Sequence, residues 1–189
     1  GVLYAIYRMR GVRNVIIPNC IASIDDYAFD GCNTLTSIVV PNSVTSIGES
    51  AFRGCSNLTS VTIPDSATSI GESAFKDCSN LLEITLPFVG ESERATSIRS
   101  VFGYIFGYEV VRGSHTIDGT TCQYYEAAPG GYLDYYYHYY IPMSLRKVTI
   151  TGGPIFDRAF YNCSGLTSII ISDGVTSIGA NAFYNCSGL

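Results

Sequence analysis

Four residues in the middle of the chain carry side chains suited to chemistry: His115, Asp118, Cys122 and His138. The chain has two histidines in all, and both fall in this group. A thiol beside an imidazole is the minimum of a nucleophilic pair, because the imidazole takes the proton and leaves a thiolate. No flanking motif accompanies Cys122, however, and no third residue stands out to orient either histidine. As metal ligands the four match no signature spacing. A zinc site asks for close pairs such as C-x-x-C, and the sequence contains none. These residues read as a solvated loop, so no catalytic residue, metal ligand or cofactor is assigned and the chain reads as non-enzymatic.

Five of the six remaining cysteines follow a different rule. Cys32, Cys55 and Cys78 are spaced by 23 residues, as are Cys163 and Cys186. The same spacing governs everything around them: Leu35–Asn57 reads LTSIVVPNSVTSIGESAFRGCSN and Leu58–Asn80 reads LTSVTIPDSATSIGESAFKDCSN. A period in this range is the mark of a solenoid, in which each coil buries its apolar side only against its neighbours. Cysteine at a fixed coil position behaves as a small hydrophobe. The five therefore predict a buried thiol column rather than disulfides or a metal site.

The register runs through most of the chain. Val12, Val15, Ile17 and Pro18 stand where Leu35, Ile38, Val40 and Pro41 follow, and further coils begin at Leu58, Leu81, Leu145 and Leu166. Ala5, Ile6 and Met9 fall at the back-of-coil positions of Ala51, Phe52 and Cys55, and Leu189 opens another coil. Neither end shows the polar cap of a terminal repeat, so the expectation is a segment of a longer protein. Within one coil, Leu58, Val61 and Ile63 point inward from a short strand, and β-branched residues and threonine suit that strand. Pro64, with no N–H to donate, stops the ladder. Ala67 and Ile70 turn inward again, and GESAF places Ala74 and Phe75 over the back of the core. A single turn of α- or 3-10 helix is expected there, held by Phe75. Successive strands should stack about 4.8 Å apart as a parallel sheet.

The pattern L-x-x-I-x-I-P…I-G-x-x-A-F-x-x-C resembles the BspA-type leucine-rich repeat. It departs from the commoner leucine-rich pattern in having Cys20, Ser43 and Ser66 soon after the strand, with the cysteine column later in the coil. The resemblance implies a surface or secreted protein of the kind found in bacteria and some protist parasites. It also implies adhesion to host or extracellular-matrix proteins and a location that is extracellular or at the cell surface. The fold reading is an α/β repeat solenoid, a right-handed leucine-rich-repeat superhelix. It has a parallel strand ladder, short helical turns and one Tyr-rich inserted hairpin, with residues 1–189 as a single domain.

The regular array breaks after Leu81–Pro87. From Leu81 to Leu145 is 64 residues where 23 are expected, which defines an insertion at about 88–144. Ala95–Ile98 repeats the ATSI of Ala67–Ile70. Ser100–Phe106 is apolar enough to pack on the solenoid as a short helix. Thr121–Ala127 and Tyr132–Ile141 flank APGG, a turn signal that predicts a β-hairpin. This insertion holds ten of the fifteen tyrosines. The candidate binding residues are Tyr124, Tyr125, Tyr132, Tyr135, Tyr136, Tyr137, His138, Tyr139 and Tyr140. In a strand, Tyr135, Tyr137 and Tyr139 would share one face and Tyr136, His138 and Tyr140 the other. Tyrosine offers large amphipathic area at low entropic cost, which favours recognition of protein or, through ring faces, of glycans. The competing reading is that the rings pack on each other and on the solenoid.

A second surface is the outer row of the strands: Ser37 and Val39, Ser60 and Thr62, Glu83 and Thr85, Lys147 and Thr149, Ser168 and Ile170. It is small, polar and lacks an aromatic anchor, so it ranks below the insertion. A third possibility is a passive spacer. The net charge of −5, with no basic cluster, argues against nucleic acid. No apolar run approaches the ~20 residues of a membrane span, and Val2–Tyr7 is too short for a secretion-signal core. Asn57-Leu-Thr, Asn162-Cys-Ser and Asn185-Cys-Ser match the glycosylation sequon, but they recur in one inter-coil turn, where Asn and Ser serve the backbone.

Overall fold

The computed structural model describes residues 1–3, 11–96, 100–112, 122–126 and 135–189. The strands in chain order are β1 (Val2–Leu3), β2 (Asn14–Ile16), β3 (Ser23–Ile24), β4 (Ser37–Val39), β5 (Ser46–Ile47), β6 (Ser60–Thr62), β7 (Ser69–Ile70), β8 (Glu83–Leu86), β9 (Tyr108–Arg112), β10 (Cys122–Glu126), β11 (Tyr135–Tyr140), β12 (Lys147–Ile155) and β13 (Ser168–Ile178). All but β9–β11 belong to a parallel-strand solenoid of about six turns.

Two parallel ladders run along it. The front ladder consists of the pair β2-β4 and the sheet β6-β8-β12-β13, and the second ladder is β1-β3-β5-β7. The registers preserve the repeat: Asn14 pairs with Ser37, Ser60 with Glu83, and Glu83 with Lys147 across the whole insertion. In β4 and β6 the middle residue is buried and its neighbours are exposed, as in Ser60, Val61 and Thr62, whereas Val15 of β2 and Ile169 of β13, in the outer coils, are half-buried.

Proline decides the strand lengths. Pro18, Pro41, Pro64 and Pro87 follow the short front strands and withhold the N–H that pairing would need. In the last two coils Thr151 and Ser172 take that position. There the ladder continues through register shifts near Gly152 and Gly174, and β12 and β13 extend to 9 and 11 residues.

The back of each coil differs from the expected helical turn. Gly71–Phe75 forms a hydrogen-bonded turn, and helix enters the coils where Phe102–Phe106 forms a 3-10 helix. Every second donor is directed to the next coil, and those between bond three residues back along the chain. Ser50, Phe52 and Gly54 donate to Glu72 O, Ala74 O and Lys76 O at 3.0, 2.8 and 2.8 Å. This alternation is possible because two residues per coil, Ser50 and Gly54 in this one, take positive φ of 53° and 70°. A left-handed residue every fourth position cannot propagate a right-handed helix.

Phenylalanines form the back of the core. Phe29, Phe52 and Phe75 stack with centroids 5.2 Å apart and interplanar angles of 6° and 7°. The thiol column lies beside them. Cys32, Cys55, Cys78 and Cys163 are buried, and Cys186 is half-buried in the final coil. The Sγ of Cys55 donates to Phe29 O at 3.3 Å and that of Cys78 to Phe52 O at 3.2 Å. Burial pushes the Cys78 thiol up to about 12 and holds Cys55 and Cys163 well above the ordinary thiol value, so all three stay protonated and unreactive near neutrality.

Candidate functional site

The insertion begins as an ordinary coil. After β8, Pro87–Gly90 is buried, and Ile70 N–H reaches Glu91 O at 2.8 Å, which carries the second ladder one step further. The 3-10 helix then stands in for the back of the coil. Ser73 and Phe75 donate to Tyr104 O and Ile105 O at 3.1 and 2.8 Å, and Phe102 donates to Ala159 O at 2.9 Å. Its two phenylalanine rings continue the aromatic column: Phe75–Phe106 at 6.5 Å, Phe106–Phe102 at 5.2 Å and Phe102–Phe160 at 4.8 Å. Phe160 and Phe183 then stack at 5.3 Å. Phe88 and Val89, and then Val101 to Phe106, are therefore built into the solenoid core.

The chain leaves the solenoid at Gly107. Its φ is 84°, and a Cβ there would lie 2.7 Å from Ser73 Oγ, so both the conformation and the close approach require glycine. It returns beside the same point, since Tyr140 N–H donates to Gly107 O at 3.0 Å. Between exit and return, β9, β10 and β11 form an antiparallel sheet in the order β10-β11-β9. Tyr124, Tyr125 and Glu126 register with His138, Tyr137 and Tyr136, and Tyr135, Tyr136 and Tyr137 register on the other side with Arg112, Val111 and Val110.

The candidate residues separate by environment. Tyr139 is 0% exposed and packs with Tyr108 at 5.4 Å between ring centroids, so it is a core side chain and not an outward one. The reason is its place on β11 next to the return point, where that strand lies against the 3-10 helix. His138 is half-buried, and Tyr140 keeps 40% of its surface exposed. Tyr124 and Tyr125 occupy β10, and Tyr135–Tyr137 occupy β11. Tyr132, His115 and Asp118 lie outside the described residues, as do the turn between β10 and β11 and the ATSI serine and isoleucine, Ser97 and Ile98. Cys122 registers with Tyr140, which leaves it a diagonal neighbour of His138, two positions along the strand. Among the described residues no group of three or more His, Cys, Asp or Glu could hold a metal ion.

On the front face, Ser37, Val39, Ser60, Thr62, Glu83 and Ile170 are exposed, while Thr85, Lys147, Thr149 and Ser168 are half-buried. Lys147 Nζ and Glu83 Oε2 form an ion pair at 3.2 Å. Ile16, 78% exposed and paired in register with Val39, adds an apolar member that sequence reasoning omitted, although its offset from Val12 identified it. The sequon asparagines are committed to the turns: Asn57 Nδ2 donates to Asn33 O at 2.6 Å and Asn185 Nδ2 to Asn162 Oδ1 at 2.9 Å.

The recurrence of strand, proline corner, phenylalanine and cysteine is also what comparison detects. The family described as BspA type Leucine rich repeat region matches six copies, over residues 3–103 and 134–189. The chain belongs to this family. Solved leucine-rich repeat proteins of this shape include one from Eubacterium ventriosum, 20% identical with a TM-score of 0.61, covering 100% of this chain and 40% of that protein. A second, from Bacteroides ovatus, is 23% identical with a TM-score of 0.53, covering 94% of this chain and 36% of the other. A third, from T. pallidum, is 19% identical with a TM-score of 0.51, covering 93% and 64%. The BspA-type chain thus spans between about a third and two thirds of the length of these proteins. No curated protein matches its sequence. Among the described residues no helix is long and apolar enough to cross a membrane.

Proposed function

We propose that this chain is a non-enzymatic binding module of a cell-surface or secreted protein, which uses its BspA-type solenoid as a rigid mount for the tyrosine-bearing sheet β9–β11. The partner class favoured by the family is protein, of host or extracellular-matrix origin. The observation that carries the reading is the anchored stem at Gly107 and Tyr140. The sheet leaves and rejoins the solenoid at Gly107 and Tyr140 and is held there by the buried Tyr139, while the front ladder passes from β8 to β12 without it, which supports reading the sheet as an appendage on a closed scaffold. Loops fixed on rigid frameworks are where recognition concentrates, and tyrosine supplies contact area at little entropic cost.

The adjacency of Gly107 and Tyr140 also defines the test. Phe88, Val89 and Phe102–Phe106 are core residues and must stay, so Tyr108–Tyr140 is excised and Gly107 is joined to Ile141 by a short glycine-serine linker. Both chains are then measured against matrix proteins, epithelial cells and a glycan array. Protein binding lost on excision supports the proposal. Loss of glycan binding alone makes the sheet a sugar-binding device, retention moves function to the front ladder, and binding by neither chain leaves a spacer.

A further inference from the structure

Neighbouring coils are bonded at the front, along the second ladder and at the back, and at one junction the front lets go. Between the coils that begin at Val12 and Leu35, Thr36 and Ser37 N–H both donate to Arg13 O, at 2.7 and 3.1 Å, and Ile17 N–H donates to Val39 O at 3.1 Å. Between the coils of Leu58 and Leu81 the pattern repeats: Leu82 and Glu83 donate to Thr59 O at 2.8 and 3.3 Å, and Ile63 to Thr85 O at 2.9 Å. Between the coils of Leu35 and Leu58 there remains Thr59 N–H to Thr36 O, drawn out to 3.4 Å. The Thr59 hydroxyl reaches the same oxygen at 3.5 Å, where the Thr36 hydroxyl reaches Arg13 O at 3.0 Å. Among the described residues no bond joins Ser60 N–H to Thr36 O or Val40 N–H to Thr62 O, and β4 does not pair with β6. Behind this seam Ile38 and Val40 keep 7% and 9% of their surface exposed, against 1% for Ile63 and Ile84. The other two sides of the junction are closed. β5 pairs with β7, and Thr68 and Gly71 donate to Thr45 O and Ile47 O at 2.8 Å. At the back, the bonds from Ser50, Phe52 and Gly54 are intact, and Phe52 stacks on Phe75 as closely as on Phe29.

We propose that the seam between β4 and β6 is a hinge, about which the coils of Val12 and Leu35 rock as one body against the coils from Leu58 onward. The stacked phenylalanines and the back bonds hold the pivot, while the front has little to break when it opens. The motion changes the spacing of the outer row at this one junction, Ser37 to Ser60 and Val39 to Thr62. It also turns the part of the solenoid that carries β9–β11 relative to the first coils. The hinge is independent of whether that sheet binds a partner.

Residual dipolar couplings of the whole, weakly aligned chain test this without a variant. The amides of 12–57 and those of 58–96 with 145–189 should require two alignment tensors of unlike magnitude. Hydrogen exchange at Thr59 should run about tenfold faster than at its counterparts Thr36 and Leu82. A clamp then closes the seam: Val39→Cys with Thr62→Cys, in a chain that also carries Cys20→Ser. A disulfide between them needs the two Cα atoms within about 6.8 Å. Oxidised, this variant should fit a single tensor and slow Thr59 to the rate of Leu82. Reduced, it should behave as the parent does, which separates locking from damage by the substitutions. A single tensor for the unmodified chain, Thr59 exchanging as slowly as Leu82, or an oxidised clamp that still needs two tensors would each overturn the proposal.

Discussion

The coil that starts at Leu58 and the coil that starts at Leu81 use the same first strand and the same aromatic back, yet they need 23 and 64 residues to close. On the front, β8 pairs directly with both β6 and β12, so the ladder shows no trace of the extra length. At the back, the regular coil presents one ring, Phe75, while the longer one presents Phe106 to its predecessor and Phe102 to its successor. A solenoid coil is therefore specified by what it offers its two neighbours, and the path between those points is open to change. That is the energetic logic of repeat proteins, in which stability is a sum of coil and interface contributions.

The sharpest way to break this comparison is Phe102→Ala. If the 3-10 helix is a true rung, urea unfolding should show a loss of about 3–5 kcal/mol, the same as for Phe52→Ala in a regular coil. A loss below about 1 kcal/mol would mean that the insertion is draped over the core and does not complete it. Next in size is Tyr139→Ala, which removes the ring that ties the sheet to the solenoid. Hydrogen exchange should show the amides of Tyr108–Arg112 and Tyr135–Tyr140 losing about 3 kcal/mol of protection while β4 to β8 keep theirs. Equal loss in both regions would show that sheet and solenoid unfold as one unit.

A third experiment probes what the regular coils share. A thiol raised above its ordinary value of 9.0 stays protonated in the folded chain at a pH where the unfolded chain ionises. Its contribution is intact below pH 9 and is lost as pH rises, for Cys78 up to about 12. Stability should thus fall above pH 9 by at most about 1.4 kcal/mol per pH unit for each such thiol. Cys55→Ala and Cys78→Ala should each flatten that slope. The smallest effect is expected for Thr151→Pro, which restores the corner residue of the earlier coils. It should split β12 at a cost of about 1 kcal/mol, mainly for the bonds from Thr151 Oγ1 to Leu86 O and Asp65.

The repeat was legible because its residues recur for packing reasons: leucine, phenylalanine and cysteine return every 23 positions to fill the same cavity. The long strands β12 and β13 had a signal that sequence reasoning passed over, the missing prolines at Thr151 and Ser172. The back of the coil was half legible. Its second left-handed position holds Gly31, Gly54, Asp77, Asn162 and Asn185, the types that tolerate such backbone. The first holds Tyr27, Ser50, Ser73, Arg158 and Asn181. Only asparagine among these announces itself; for the others the neighbouring coils impose the conformation. A local reading of GESAF therefore expected a helix where bonds between coils prevail. In the insertion, SVFGYIF looked able to pack, but its duty as a substitute rung depends on Phe75 and Phe160, which are remote in sequence. Tyr139 was inseparable from its tyrosine neighbours until the stem placed it against the core.

The bonds between coils have a mechanical consequence. They run along the axis of the solenoid, so a pull on the two ends loads every junction in series. Each junction holds with its own few backbone bonds and its share of the phenylalanine column. Coils should consequently peel away one at a time like pages from a pad. Each regular coil of 23 residues would release roughly 80 Å of slack. The coil interrupted by the tyrosine sheet would release a single longer step of roughly 220 Å for its 64 residues. Tethered between two surfaces, the molecule would yield in stages under tension, with its largest give stored beside the region proposed to hold on.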